Sequence, residues 1–274
     1  MATLSKAVSP EPPFNLVKMD IITPWLEGIF RWMHVLAGVL WIGLLYFFNW
    51  VNTQFAPKLS AEAKKEALPI ILPRTLYFFR WGAAFTWVTG ILLLGLIYHM
   101  GGASVMMADG AELGSNHFIG LAVVLGSIFV YDILWKNMAG TAAVAVSFLL
   151  AAGSAYLFTD VLGYNTRAAT IHVGALFGTL MAFNVWFRIW PAQRKIISAI
   201  AAGEAPDGSL AALAGMRSKH NTYMSVPLIY TMLAQHNLVM YPYGWMGVAG
   251  AIAIGWALTA HIYKKSASDA PGKY

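Results

Sequence analysis

Seven apolar stretches, each long enough to cross a bilayer or nearly so, decide what this chain can fold into. They fall at roughly 24–50, 78–99, 117–135, 141–160, 168–190, 222–240 and 243–263. In hydrocarbon every backbone N–H and C=O must find its partner within the protein, so single stretches of this length form helices. The expected fold class is an all-α integral membrane protein, a bundle of about seven transmembrane helices. Only 11% of the residues are charged and the mean hydropathy is +0.60, where a soluble domain carries about a quarter charged residues. The net charge of +6 therefore reads as loops held at a membrane face, with lipid as the partner and no nucleic acid.

The basic residues orient the bundle. Lys58, Lys64, Lys65, Arg74, Arg80, Lys136, Arg188, Arg194, Lys195, Arg217, Lys219, Lys264, Lys265 and Lys273 fall on one side. Of the eighteen lysines and arginines, only Lys6, Lys18, Arg31 and Arg167 fall on the other. Positive charge stays in the cytoplasm, so the N-terminus is expected outside and the C-terminus inside. The chain divides into a polar segment over 1–22 with no signal-peptide pattern, a membrane domain over 23–265 and a cytoplasmic tail over 266–274. SAEAKKEALPIILPR, from Ser60, reads as a short amphipathic helix ended by Pro69 and Pro73. AAGEAPDGSLAALAG, 201–215, reads as a turn at Pro206–Asp207–Gly208 and another short helix.

Cysteine is absent, which excludes disulfides, thiolate catalysis, iron–sulfur clusters and covalently attached haem c. Any metal or cofactor must be held by His, Met, Tyr or carboxylate. No phosphate loop, dinucleotide fingerprint, His-Glu-x-x-His or serine elbow occurs. Attention falls on the histidines, since ionisable groups within a bilayer are costly. His34, His99, His117, His172 and His236 are expected in the outer half, His220 and His261 on the cytoplasmic side.

His34, in RWMHVLAGVLWIG, shares a helix face with Gly38, one turn on. His172, in IHVGALFGTLM, is followed by Gly174. Glycine beside a membrane histidine has two readings: close helix contact through small residues, or room for the flat macrocycle of a b-type haem held by neutral imidazoles. His236 stands sixteen residues after His220, about 24 Å of helix, and so at the level of His34 and His172. Three helices could converge there on one outer site. Pro227 either kinks its helix and aims His236 inward or serves packing. His220 and His261 form an expected solvated cluster. Arg31 pairs with Glu27 or with a haem propionate, Asp132 pairs with Lys136 one turn on, and Asn184 bridges helices.

Four stretches together resemble the membrane region of the bacterial membrane-bound urate oxidase (urate hydroxylase) family. They are RWMHVLAGVLWIG, RWGAAFTWVTGILLL, RAATIHVGALFGTLMAFNVWFRIWPAQRKII and AGMRSKHNTYMSVPLIYTMLAQHN, and the likeness runs over most of 22–264. The resemblance brings His34, His172, His220 and His236 within matching motifs, and leaves His99 and His117 without a counterpart. It implies oxidation of urate, with electrons leaving through a c-type cytochrome domain that follows the membrane region in the family. This chain carries no Cys-x-x-Cys-His, so the acceptor is expected on a separate periplasmic chain.

The resulting expectation is a redox protein of a bacterial inner membrane that holds haem b. His34 and His172 are its first axial candidates and His236 the next, with Arg31, Gly38 and Gly174 beside them. The alternative is a non-catalytic membrane subunit of a larger respiratory or photosynthetic complex.

Overall fold

The computed structural model describes residues 14–236, 239, 241–268 and 271, with side chains from residue 22 onward. Eight main helices follow in order: α1 (Phe14–Tyr46), α2 (Ala61–Leu94), α3 (Asn116–Asn137), α4 (Gly140–Tyr156), α5 (Thr166–Asn184), α6 (Trp190–Ala202), α7 (Gly208–Leu233) and α8 (Gly244–Ser266). Four of them run on into a π-helical turn: α1 through Phe47–Asn52, α2 through Gly95–His99, α4 through Leu157–Val161 and α5 through Val185–Ile189. Among the described residues the β structure is one bridge, Met107 to Tyr164.

Six units are long and apolar enough to cross a membrane: Ile22–Lys58, Ala61–His99, Asn116–Asn137, Gly140–Val161, Thr166–Ala202 and Tyr241–Ser266. α7 is as long but is not among them, its polar RSKHN run lowering its hydropathy. Near its start Arg217 pairs with Asp132 at the end of α3. Just past its end Gln235 accepts a hydrogen bond from Tyr98, and its backbone carbonyl accepts one from Arg167 at the start of α5. The eighteen residue steps from Arg217 to Gln235 span about 27 Å of helix. The chain is thus an all-α, multi-pass membrane bundle. The end bearing His99, His117 and His172 is the histidine end below; the end bearing Asp132, Arg188 and Arg217 is the arginine end.

α5 is the axis. Most of its apolar window (78%) is buried inside the bundle, against 17–33% in the other five units, and α2, α3, α4, α7 and α8 pack around it. Small residues let the helices approach. A Cβ on Gly174 would stand 2.2 Å from the Thr231 hydroxyl of α7, and one on Gly255 of α8 would stand 2.8 Å from the Pro227 ring. Pro227 therefore seats a helix contact.

Several boundaries differ from the sequence reading. Pro69 and Pro73 do not end a helix; both lie inside α2. Four residues apart, they delete two N–H groups on the same side, while Leu68, Leu72 and Leu76 stay buried on one continuous stripe. The short helix expected within 201–215 is the beginning of α7, which runs on through Gly215 and Pro227 to Leu233. Asp207 caps it by accepting from the Ser209 N–H, and the Ser209 hydroxyl and N–H hold its carboxyl below the ordinary range. The sixth span begins at 208 and its regular part ends at Leu233; its expected end at 240 lies outside the described residues. α1 starts at Phe14, inside the segment read as polar over 1–22, whose first thirteen residues lie outside those described, as does most of the 266–274 tail beyond Ser268.

The two polar ends of α7 give a first prediction. Tyr98→Phe removes the 2.6 Å bond to Gln235. Its expected cost is about 1 kcal/mol, typical of one interhelical hydrogen bond. Thermal melts of the detergent-solubilised protein check it, and a melting point equal to wild type would show the bond to be idle.

Candidate functional site

At the histidine end, the π turn Gly95–His99 turns Tyr98 inward and delivers His99 to α5. The Nε2 atoms of His99 and His172 stand 3.3 Å apart, with ring centroids at 5.4 Å. His172 is fully buried. Its Nδ1–H donates to the Ala168 carbonyl at 2.7 Å, one turn back on α5. A carbonyl only accepts, so this bond fixes the tautomer and leaves a lone pair on Nε2. Phe158, Tyr164 and Tyr98 enclose the ring at centroid distances of 5.5, 4.9 and 6.0 Å. The Nδ1 of His99 is buried with no hydrogen-bond partner. His117, at the start of α3, lies one ring further out, 5.9 Å from His99, and its Nδ1–H donates to the Gly114 carbonyl. The Tyr164 hydroxyl bonds the Asn116 and His117 carbonyls, tying that helix start to the aromatic wall of His172.

At the arginine end, Asp132 pairs with Arg188 at 2.6 Å and with Arg217 at 2.8 Å; Lys136, its expected partner, is not used. Arg188 reaches it with both Nε and Nη2, the two-pronged geometry in which a guanidinium fits a carboxylate. Arg217 lies over the Tyr131 ring at 4.9 Å. The Tyr131 hydroxyl accepts from Asn184 and bonds His220 Nδ1 at 2.8 Å; Asn184 also donates to Asn221. Asn184 therefore bridges α3, α5 and α7, as its sequence context suggested. His220 packs tilted against Trp135 at 4.0 Å while His261 is exposed on α8. They form no solvated cluster.

The expected convergence of His34, His172 and His236 is corrected by this geometry. His34 Nδ1 bonds the Thr86 carbonyl at 2.9 Å and stands 3.3 Å from the Thr89 hydroxyl. Those partners lie ten to thirteen residues before His99 on the α2 unit, roughly 15–20 Å along it. Gly38 faces Thr86 at 3.7 Å, so α1 and α2 meet there by small-residue contact. Gly174 serves α7, as described. His236 is exposed past the end of α7, because the Pro227 contact with α8 does not turn it inward. Arg31 pairs with Glu27 at 2.6 Å.

A haem b plate needs its two axial nitrogens about 4 Å apart on opposite faces, with the iron about 2 Å from each. His99 and His172 are closer than that, and three aromatic rings occupy the surrounding space. As the helices pack, the expected haem ligands do not fit one haem b. His99, which the resemblance left unmatched, is the histidine that meets His172, and His117, also unmatched, meets His99 in turn. Their one signal in the sequence was position: each sits at a helix end on the level of His172, flanking a loop without lysine or arginine.

A polytopic helical membrane protein, with a histidine cluster around the buried His172 at one end and an ion-paired polar network at the other, is the class that fold and site define. The chain belongs to the urate oxidase N-terminal family, whose model matches residues 61–271. That match takes in His99, His117, His172, His220 and His236, and begins after His34, Arg31 and Gly38. Comparison with curated proteins and with solved structures gives no match.

Proposed function

We propose that this protein acts in urate oxidation at a bacterial inner membrane, passing electrons from its substrate to a c-type cytochrome. The family match over 61–271 carries this reading. The charge asymmetry supports the orientation: the arginine end faces the cytoplasm, which puts the histidine end on the side where c-type cytochromes reside.

The test is urate-dependent reduction of added ferricytochrome c by membranes holding the expressed protein. Reduction that rises with the amount of protein is the expected result. Its absence, with the protein shown to be inserted, would overturn the reading.

A second reading has one observation behind it. The Glu27–Arg31 pair on α1 is itself partly exposed, and Val35, one turn on from Arg31 on the same face, is 61% exposed. A charged pair turned to lipid is costly, and a neighbouring subunit would cover it. On this reading the protein is a non-catalytic member of a larger complex. Extraction in mild detergent then yields an assembly of fixed stoichiometry; recovery as a free chain sinks it.

A further inference from the structure

We propose that His99, His172 and His117 bind a divalent first-row transition-metal ion at the histidine end of the bundle. The inference stands apart from the urate reading, since it concerns what the three imidazoles hold rather than what is oxidised.

Geometry comes first. Two imidazole nitrogens on one tetrahedral ion, each about 2.05 Å from the metal, are about 3.4 Å apart. His99 and His172 Nε2 are separated by 3.3 Å, a neighbouring-ligand spacing. As a simple N–H···N hydrogen bond the same distance is long.

The tautomers agree. His172 Nδ1–H is held by the Ala168 carbonyl and His117 Nδ1–H by the Gly114 carbonyl, so each ring keeps a bare Nε2. A backbone carbonyl on the far nitrogen is the usual outer partner of a metal-bound histidine; it orients the ring and raises its basicity. Phe158, Tyr164 and Tyr98 exclude water from the inner ligand and set the dielectric low. A π turn delivers His99, and such turns recur at functional sites in helices.

The donor set names the class of ion. Three imidazoles with no thiolate suit zinc, copper, iron or nickel rather than magnesium or calcium. Among the described residues no three ligand side chains already close a metal cage. His172 and His99 form the preset pair, and the ion draws in His117, whose ring lies 5.9 Å from that of His99. Three ligands leave a fourth position open.

The test uses the full-length protein in detergent, purified without a polyhistidine tag, stripped with chelator and titrated with Co²⁺. Expected are intense visible bands of four-coordinate cobalt, saturating at one ion per chain and lost on adding Zn²⁺. His99→Ala should abolish them. His117→Ala, at a half-buried position, should keep the fold and weaken cobalt binding at least tenfold. The exposed His236→Ala should change nothing. Absent bands, or wild-type affinity in His117→Ala, would overturn the three-histidine site. No urate or cytochrome enters the assay, so its failure is distinct from failure of the functional reading.

Discussion

Asp132→Ala is expected to destabilise the protein by about 3 kcal/mol, the loss typical when one partner of a buried ion pair is removed. Arg217 is the reason. Its side chain is only 4% exposed, its Nε and Nη1 already lack partners, and Asp132 supplies its only ion pair among the described residues. Without that carboxylate a cation stays buried between α3, α5 and α7 with nothing to neutralise it. Arg188→Ala should cost about 1 kcal/mol: Arg188 is about a third exposed, and water screens what it loses. Lys136→Ala should cost nothing measurable. Thermal unfolding of the three variants in one detergent decides the matter. Equal losses for Asp132→Ala and Lys136→Ala would mean that the ion pairs do not hold these helices together.

Gly174→Ala is expected to cost about 2 kcal/mol, within the range for overpacking a tight contact. The added methyl would lie 2.2 Å from the Thr231 hydroxyl and 3.1 Å from Met232 Cε. Methionine can yield; threonine is β-branched and stiff at χ1, so α7 must move away from α5. Gly178→Ala is the control, one turn on in the same helix, where a Cβ would meet nothing within 4 Å. It should match wild type. If both variants melt together at the wild-type temperature, the close α5–α7 approach is not what sets stability.

Much of the architecture was legible because a bilayer leaves so few choices. Apolar length predicted seven spans where six helices among the described residues are long and apolar enough to cross, and the charge asymmetry assigned loops to ends that the structure does bring together, Asn49 with Ser218 and Tyr263 at one face and Tyr98 with Gln235 at the other. Helix limits were less legible. Pro69 and Pro73 looked like stops because a proline's missing N–H is visible in sequence, while the packed stripe that carries a helix past it is not. The same holds for α7, whose polar start resembled a loop until Arg217 found Asp132.

For the site, depth was readable for His99, His117 and His172, which meet at one end, but not for His34, and direction was not readable at all. Counting residues put His34, His99, His117, His172 and His236 in one half of the membrane, but which way each ring turns depends on local helix winding. His34 turned to Thr86, His236 turned out, and His99 turned to His172.

The winding at residues 95–99 has its own consequence. A π turn holds one residue more than the α-helix it interrupts, and one residue is about 100° of rotation for only 1.5 Å of rise. Excising a single position there would leave the rod's height almost untouched and swing His99 a quarter-circle or more off its bearing. Azimuth at this tip is thus encoded by a one-residue surplus, a compass setting that no substitution of side chains could reproduce.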